Sequence, residues 1–386
     1  MTLYKRVTVC LIRLCVILLS ASLVLLLVLL GTLQLTSPPN IKGDEEWEPT
    51  ISVVIPTYNE APIIEDRISN LLNTTYPAAK IEVLIADDST DDTADRARAF
   101  FEQIETDATL NVVDTGNRGG VAAALNNAIP AASGEIIFRT DADARLAVDA
   151  IPRAVAVLAD SSISGVTGRQ ADVIGGSVVE SDYRDLLSVL QSFETRVDST
   201  FIVHGPCFAF RRTEFEPLEV DTIADDTAIA VQLRRNGGRI IMDPTIKFAE
   251  GGSSSLSQRR TRKDRRAVGL LQQLLRHRDA LGRYGQYGSI VLPLNWSLMI
   301  VGPWVVAVTV TIATLFAIIT TGPVGLLFPL IGGAFLFAGS RELLGPLQPL
   351  HAIMDAYLSL LIASLRLVRG DVDVTWEIDD RMREEL

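Results

Sequence analysis

Uncharged apolar residues are gathered into long runs towards the two ends of this 386-residue chain. The first run, residues 14–33, is 20 residues long and follows Lys5, Arg6 and Arg13. A helix of that length, at about 1.5 Å per residue, matches the roughly 30 Å hydrocarbon core of a bilayer. The run is too long for the core of a signal peptide, and no small-residue cleavage site follows it cleanly. The pattern therefore predicts a retained transmembrane anchor over residues 1–36.

A longer apolar stretch, residues 284–340, contains no charged residue. The turn signal Thr321-Gly322-Pro323 divides it, which predicts two membrane-spanning helices joined by a tight turn. Residues 343–365 are also apolar but include a histidine and an aspartate four residues apart. They form either a third span that faces protein, which we favour, or a helix lying in the interface. We therefore expect a C-terminal transmembrane region over residues 284–370, with two or three helices, and a polar tail over residues 371–386.

The chain between these apolar regions alternates short buried-type runs with amphipathic stretches. A polar, proline-rich linker over residues 37–49 comes first, and the alternation fills residues 50–283. The predicted strands are 51–55, 81–86, 110–113, 135–139, 204–210 and 239–242, and the predicted helices are 61–72, 93–104, 121–129, 181–200 and 225–236, with further helices within 258–283. This order predicts an α/β domain with a mainly parallel sheet and helices on both faces. Ligands of such sheets bind at the carboxyl ends of the strands.

The charge balance limits the class of partner. The net charge is −12, from 35 basic and 47 acidic residues, which argues against a nucleic-acid partner. Only five of the basic residues are lysines, a composition that resembles the proteins of salt-loving organisms; an ordinary acidic protein is the alternative. Cys10, Cys15 and Cys207 do not have the spacing of a disulfide or zinc framework, and we interpret them as packing residues.

Four acidic segments follow one another in the α/β region. They are residues 56–60 (Pro-Thr-Tyr-Asn-Glu), 86–91 (Ala-Asp-Asp-Ser-Thr-Asp), 141–143 (Asp-Ala-Asp) and 224–226 (Ala-Asp-Asp). The first three come directly after predicted buried strands, at the sheet edge where an α/β protein binds a nucleotide and a metal ion. Taken singly, each segment also suits an ordinary turn, a solvated loop or a helix cap.

Two of these segments carry specific chemistry. Asp87 and Asp88 are adjacent at a strand end, so one of them can point into the crevice and accept from a uracil imide or a ribose hydroxyl. Asp141 and Asp143 can share a divalent cation, Mg²⁺ or Mn²⁺, together with the diphosphate that it carries. Arg139 and Arg145 flank that pair and are candidates for phosphate contacts.

The last acidic segment suits a general base. A carboxylate at Asp225 or Asp226 can remove the proton from a sugar hydroxyl as it attacks an anomeric carbon. Both residues also begin a predicted helix, where the helix dipole favours negative charge without any catalytic role. A basic cluster follows, and it suits either anionic lipid and membrane topology or a departing diphosphate. Its members are Arg259, Arg260, Arg262, Lys263, Arg265 and Arg266.

The ordered set of motifs resembles the family 2 glycosyltransferases, which have the GT-A fold. Besides the four acidic segments, residues 117–120 (Asn-Arg-Gly-Gly) and 205–212 (Gly-Pro-Cys-Phe-Ala-Phe-Arg-Arg) are similar to motifs of that family. The resemblance covers residues 50 to about 275. It implies a nucleotide-sugar donor, a divalent metal ion and inversion at the anomeric carbon.

The resemblance also assigns roles by position. Asp226, with Asp225 beside it, would be the catalytic base, and Asp141 and Asp143 would hold the metal ion. Contacts with the nucleotide sugar, for which a UDP-sugar is favoured, would come from Pro56, Thr57, Tyr58, Glu60, Asp87, Asp88, Asp141, Arg262, Arg265 and Arg266. The acceptor would be a lipid phosphate or a glycan at the membrane.

One family motif is altered. Processive polysaccharide synthases carry Gln-x-x-Arg-Trp, but residues 258–262 (Gln-Arg-Arg-Thr-Arg) and 262–266 (Arg-Lys-Asp-Arg-Arg) both lack its tryptophan. This favours a non-processive, membrane-bound transferase; a processive synthase, a nucleotidyltransferase and an inactive membrane scaffold are the alternatives. The basic residues of 259–283 favour a multi-pass protein of the cell membrane with a cytoplasmic catalytic domain, although Lys5 and Arg6 pull the N-terminus inward.

Overall fold

The computed structural model describes residues 41–116, 118–174, 178–252, 255–372 and 374–375. Within them the strands are β1 (Ile51–Thr57), β2 (Ile81–Asp87), β3 (Thr109–Asp114), β4 (Ile136–Arg139), β5 (Ala144–Leu146), β6 (Ile163–Ile174), β7 (Phe208–Arg211) and β8 (Arg239–Gly251). The α-helices are α1 (Ile64–Leu72), α2 (Thr93–Gln103), α3 (Gly120–Ala128), α4 (Ala150–Leu158), α5 (Val178–Val197), α6 (Asp225–Arg235), α7 (Leu256–Arg276), α8 (Leu292–Trp296), α9 (Gly302–Thr321), α10 (Leu327–Ser340) and α11 (Gln348–Arg369). The anchor predicted over residues 1–36 lies outside the described residues, as does most of the tail predicted over 371–386.

The described strands form a mixed sheet in the order β3-β2-β1-β4-β7-β6-β8-β5. The pairs β3–β2, β2–β1, β1–β4 and β6–β8 are parallel, whereas β7 runs antiparallel to β4 and β6, and β5 runs antiparallel to β8. The prediction of a mainly parallel α/β sheet is confirmed. The carboxyl ends of β1, β2, β4 and β8 therefore meet the starts of β5 and β7 at one edge.

Alternating side chains explain why the helices lie on both faces of the sheet. Along β1, Val53 and Ile55 are fully buried in a core with α1 and α4, whereas Val54 is buried in a second core with α3 and α6. Successive residues of a strand point to opposite faces, so a strand that is apolar throughout is covered on both sides. This packing leaves the strand ends to carry the polar groups.

Some elements were not predicted from the sequence, and several boundaries differ; β8, for example, was predicted over residues 239–242 but runs to Gly251. Strands β5 and β6 and helix α4 were not predicted. The strand expected over residues 204–210 begins only at Phe208, because Gly205–Cys207 form a 3₁₀ turn. Pro206 has no N–H for a strand ladder, which accounts for the late start.

The C-terminal helices fold back on the α/β domain. Two helical stretches, Tyr287–Ser340 and Gly345–Arg369, are long and apolar enough to cross a membrane. The first is broken after Thr321, and Gly325 packs against the backbone of Ala317 and Ile318, so α9 and α10 form the predicted hairpin. The second stretch contains α11, which packs against α7 and α5.

Candidate active site

A cavity of about 390 Å³ opens at the sheet edge where the strand ends converge. Its wall includes three of the four acidic segments and part of the basic cluster. The predicted site residues that line it are Pro56, Glu60, Asp141, Asp143, Asp225, Asp226, Arg262, Arg265 and Arg266. The fold thus brings together residues that lie up to 210 positions apart in the sequence, between Pro56 and Arg266.

The other predicted donor contacts lie beside this cavity, at the ends of β1 and β2. Thr57 Oγ1 donates to Asp87 Oδ1 at 2.7 Å, and Ser89 Oγ donates to the same oxygen at 2.6 Å. Asp87 is buried and fixes the loop, whereas the neighbouring Asp88 is half-buried. Tyr58 lies under the Arg118 guanidinium, whose carbon is 4.5 Å from the ring centroid.

Arg139 links two of the acidic segments. Its Nη1 lies 2.7 Å from Asp141 Oδ1, and its Nε lies 3.2 Å from Asp225 Oδ2. A Cβ atom at Gly205 would lie 2.0 Å from Arg139 Nη1, so only glycine leaves room for the guanidinium. Arg139 is buried in the wall of the cavity, where it pairs with both carboxylates, and the expectation that it contacts phosphate stays a prediction.

Asp225 and Asp226 occupy the first turn of α6 with different surroundings. Burial raises the pKa of Asp225 to about 6, although Arg139 opposes the shift. Burial also raises the pKa of Asp226, whose Oδ2 accepts from Gly205 N at 2.8 Å and whose Oδ1 accepts from Thr227 N at 2.6 Å. Each carboxylate oxygen has a second lone pair, so Asp226 can still accept a proton from a group in the cavity.

The basic residues of α7 balance buried carboxylates. Arg262 Nη2 lies 3.4 Å from Asp143 Oδ2, and Arg266 forms an ion pair with the buried Glu250. Burial raises the pKa of Asp143 to about 6, with Arg262 opposing the shift. The three arginines predicted to meet a diphosphate are therefore present in the cavity wall. Arg262 and Arg266 pair with carboxylates, and Arg265 Nη2 donates to Val374 O at 3.2 Å.

Comparisons with known proteins decide the family. The family model described as "Glycosyl transferase family group 2" matches residues 136–338, more than half of the chain, and that described as "Glycosyl transferase family 2" matches residues 52–218. The chain is a family 2 glycosyltransferase.

Individual relatives agree with this assignment. The glycosyltransferase is 27% identical over 219 residues to the poly-β-1,6-N-acetyl-D-glucosamine synthase of Staphylococcus aureus, covering 55% of this chain and 52% of that protein. It is 26% identical over 188 residues to an N-acetylglucosaminyltransferase of Mesorhizobium japonicum, covering 46% and 44% respectively. The chain thus spans about half the length of these curated relatives.

A solved structure matches nearly the whole chain. The mannosyltransferase PcManGT from Pyrobaculum calidifontis, in complex with GDP-Man and Mn²⁺, superposes with a TM-score of 0.78 and is 28% identical. The match covers 93% of the glycosyltransferase and 99% of PcManGT. It establishes the GT-A fold for the α/β domain and extends the likeness into the apolar C-terminal helices.

The metal-ligating side chains of the glycosyltransferase suit a metal ion whose coordination is completed by the substrate. Within the described residues, no group of three or more His, Cys, Asp or Glu side chains could hold a metal by itself. Asp141 and Asp143 offer two carboxylates on one short loop, both partly exposed to the cavity. Mg²⁺ is commonly bound through one or two carboxylates and substrate phosphates, and two carboxylates meet that requirement.

Sequence reasoning missed the buried Arg67 of α1. Its side chain is fully buried and donates to Ala144 O at 2.8 Å, to Thr140 Oγ1 at 2.5 Å and to Asn70 Oδ1 at 2.6 Å. These bonds fix both ends of the loop that carries Asp141 and Asp143. A lone arginine on an amphipathic helix resembles a solvent-exposed residue, so the sequence contains no signal for this role.

We expect Arg67→Met to lower the free energy of unfolding by about 1–3 kcal/mol, because buried acceptors on the metal loop lose their donor. Thermal unfolding of the full chain measures this loss. Transfer activity should fall as well, because the loop is no longer fixed. The exposed Arg98→Met is the matched control, since Arg98 pairs with Asp95 on the surface of α2. Equal stability of the Arg67 variant and the control would contradict the assigned role.

Proposed function

We propose that this protein is a membrane-bound, metal-dependent, inverting glycosyltransferase that moves one sugar from a nucleotide-diphosphate sugar to an acceptor at the membrane. The observation that carries the proposal is the meeting of Asp226, Asp141 and Asp143 in one cavity beneath the basic face of α7. A proton acceptor, a metal-binding pair and cations for a diphosphate would then share one substrate-sized space.

The donor half of the reaction is assigned to the strand ends. Thr57, Tyr58, Asp87 and Asp88 are proposed to hold the nucleoside, with Pro56 and Glu60 between it and the sugar. Asp141 and Asp143 are proposed to hold Mg²⁺ or Mn²⁺, which neutralises the diphosphate as it leaves. Arg262, Arg265 and Arg266 would supply further positive charge to the leaving group.

The acceptor half is assigned to Asp226. Its carboxylate would remove the proton from an acceptor hydroxyl that attacks the anomeric carbon from the side opposite the diphosphate, which inverts the configuration. Arg139 and Asp225 would orient Asp226 rather than react. Protonation of Asp226 stops this step, so transfer should fall as the pH drops through its raised pKa.

The protein is proposed to be a multi-pass protein of the cell membrane with its catalytic domain in the cytoplasm. The apolar hairpin of α9 and α10 supports membrane insertion, because Leu315, Ile319, Leu330, Ile331 and Phe337 are each more than half exposed. The basic face of α7 supports a cytoplasmic domain, since arginine and lysine near spans favour that side. Membrane lipid is then the immediate neighbour of the active site.

A donor panel tests the proposed function. Membranes containing the full chain are incubated with labelled UDP-sugars, which the sequence favours, and with GDP-mannose, which PcManGT binds. We expect one donor to label a membrane-associated product, and a chelator to prevent the labelling. Labelling that continues in chelator would contradict the metal role, and a folded enzyme that uses no donor would contradict the transferase assignment.

Single transfer is expected rather than polymer synthesis. Among the described residues that line the cavity there is no Phe, Tyr or Trp on which a growing chain could stack. The likeness to a poly-N-acetylglucosamine synthase favours the alternative, a processive enzyme in which Arg262 and Arg266 replace the aromatic motif. Product sizing with excess donor decides between them: we expect one short, discrete product, and a ladder of high mass without release between additions would contradict this.

A further inference from the structure

The cavity has two chemically different halves. One half contains Asp143, Asp226 and Arg262, to which metal binding, proton removal and diphosphate contact are assigned above. The other half is lined by Leu187, Ile223, Leu270, Met299 and Leu360, which belong to one hydrophobic cluster. Asp355 and Ser359, on the same helix as Leu360, also line the cavity. A sugar or a diphosphate gains no hydrogen bond from the apolar side chains of the cluster.

The proposed position of the nucleotide-sugar donor leaves the apolar half of the cavity without an assigned ligand. The residues proposed for the nucleoside, among them Thr57 and Asp87, lie outside the cavity at the ends of β1 and β2. The diphosphate and metal belong between that point and Asp226, in the polar half. A donor held in this way uses the polar half of the wall, which leaves Met299 and Leu360 without an assigned ligand.

The elements that form the apolar wall belong to the membrane side of the protein. Leu187 lies on α5, Leu270 on α7 and Leu360 on α11, and Met299 lies in the helical segment Ser297–Val301, which leads directly into α9. Helix α11 packs against α7, α5 and that segment. The exposed apolar face of α9 follows directly after that segment. A molecule entering the apolar half would therefore come from the hydrocarbon region of a bilayer.

The apolar wall begins beside Asp226, because Ile223 lies three residues before it and Gly269, next to Leu270, packs against Ile223 and Ala224. A base is useful only where a proton must be removed, and a hydroxyl head group has such a proton, whereas a phosphate monoester is already largely ionised at neutral pH. The head of the incoming molecule is thus a hydroxyl-bearing group, and its remainder is an apolar chain.

We propose that the apolar half of the cavity binds the hydrocarbon chain of an amphiphilic acceptor whose hydroxyl head reaches Asp226. This inference rests on the proposed function and deepens it, because it selects a lipid-linked acceptor over a free polysaccharide. The chain lies between α5, α7 and α11, against Leu270 and Leu360. The acceptor is drawn from the membrane and remains in it during transfer.

Photo-crosslinking tests the subsite without any turnover. Full-length protein in vesicles is irradiated with a dodecyl glucoside that has a photoreactive chain, and the modified peptides are mapped. We expect adducts on Leu270, Met299 or Leu360 that excess dodecyl glucoside suppresses and methyl glucoside does not. Adducts confined to the exposed faces of α9 and α10, such as at Leu315, would overturn the proposal.

A matched pair of variants on α11 gives the kinetic test. Leu360→Asn places a polar group in the apolar wall, whereas Leu365→Asn changes a residue that is 43% exposed and does not line the cavity. We expect the first to raise the KM for the membrane acceptor about tenfold with an unchanged KM for the donor, and the second to change neither. Leu270→Ala on α7 repeats the test should Leu360→Asn fold poorly.

The outcomes separate the subsite from the proposed function. Specific adducts without sugar transfer from any donor would leave the apolar subsite standing and contradict the transferase assignment. Transfer with wild-type acceptor KM in Leu360→Asn and Leu270→Ala would contradict the subsite and leave the transferase assignment standing.

Discussion

Replacing Asp226 with asparagine is expected to lower sugar transfer by about 10²–10⁴-fold, the usual contribution of a general base. The side chain keeps its size and its place at the start of α6, but it can no longer take the proton of the acceptor hydroxyl. Donor binding should survive, because Asp226 belongs to the acceptor half of the site. Steady-state transfer by purified enzyme and donor binding at equilibrium measure the two effects.

Asp225→Asn is the matched control for this prediction. Asp225 is buried against Arg139, with Oδ2 3.2 Å from Nε, so its loss disturbs an ion pair rather than the reacting atoms. We expect a smaller loss of turnover than in Asp226→Asn, together with a lower unfolding temperature. If Asp225→Asn were inactive while Asp226→Asn retained turnover, the base would be the neighbouring residue and the assignment would be wrong by one position.

Replacing Asp143 with alanine is expected to reduce metal-dependent transfer by at least about a hundredfold, corresponding to the loss of several kcal/mol of charge stabilisation. One carboxylate of the metal-binding pair disappears, and Arg262 loses one of its partners. Binding of Mn²⁺ in the presence of donor should weaken in parallel, which electron paramagnetic resonance can follow without turnover.

Asp149→Ala controls for the loss of an acidic side chain in the same region. Asp149 is 43% exposed and pairs with Arg153 one helical turn later. This variant should bind Mn²⁺ and transfer sugar like the wild type. Wild-type activity of Asp143→Ala, or full activity of the unmodified enzyme in chelator, would contradict the role given to the pair.

The sheet and its polar edge were predictable because their signals are local. An apolar run such as residues 51–55 followed by a polar turn specifies a buried strand and its end, and parallel strands bring such ends together. The positions of Asp87 and Asp141 followed from this rule, whereas Asp226, at the start of a helix, was assigned from the family resemblance. Strands β5 and β6 were missed because β5 is only three residues long and β6 contains polar residues through much of its length.

The partners of the site residues were not predictable, because they depend on tertiary contacts. The sequence shows Arg139 next to a D-x-D motif, but it does not indicate that Arg139 pairs with both Asp141 and Asp225. Glu250, at the end of β8, gave no signal, although Arg266 and Arg184 converge on it. Burial opposes its ionisation, but these arginines lower its pKa to about 2.

In the apolar C-terminal helices, too, a local feature was predictable from the sequence, whereas a tertiary contact was not. The turn at Thr321-Gly322-Pro323 was readable from composition alone. The contacts of Asp355 on α11 were not: its Oδ1 accepts from Arg260 Nη1 at 2.7 Å, and it also forms an ion pair with Lys263. An aspartate within an apolar helix thus faces the basic side of α7, next to the cavity.

In the proposed reaction, the enzyme transfers a sugar from a metal-bound nucleotide sugar to a membrane acceptor, with Asp226 as the base. The most direct measurement uses purified full-length enzyme in vesicles that contain extracted membrane lipid, with labelled donor and Mn²⁺. We expect one added sugar with inverted anomeric configuration on a lipid product from the wild type, and no product from Asp226→Asn or in chelator. Equal product from wild type and Asp226→Asn, or a retained anomeric configuration, would contradict it.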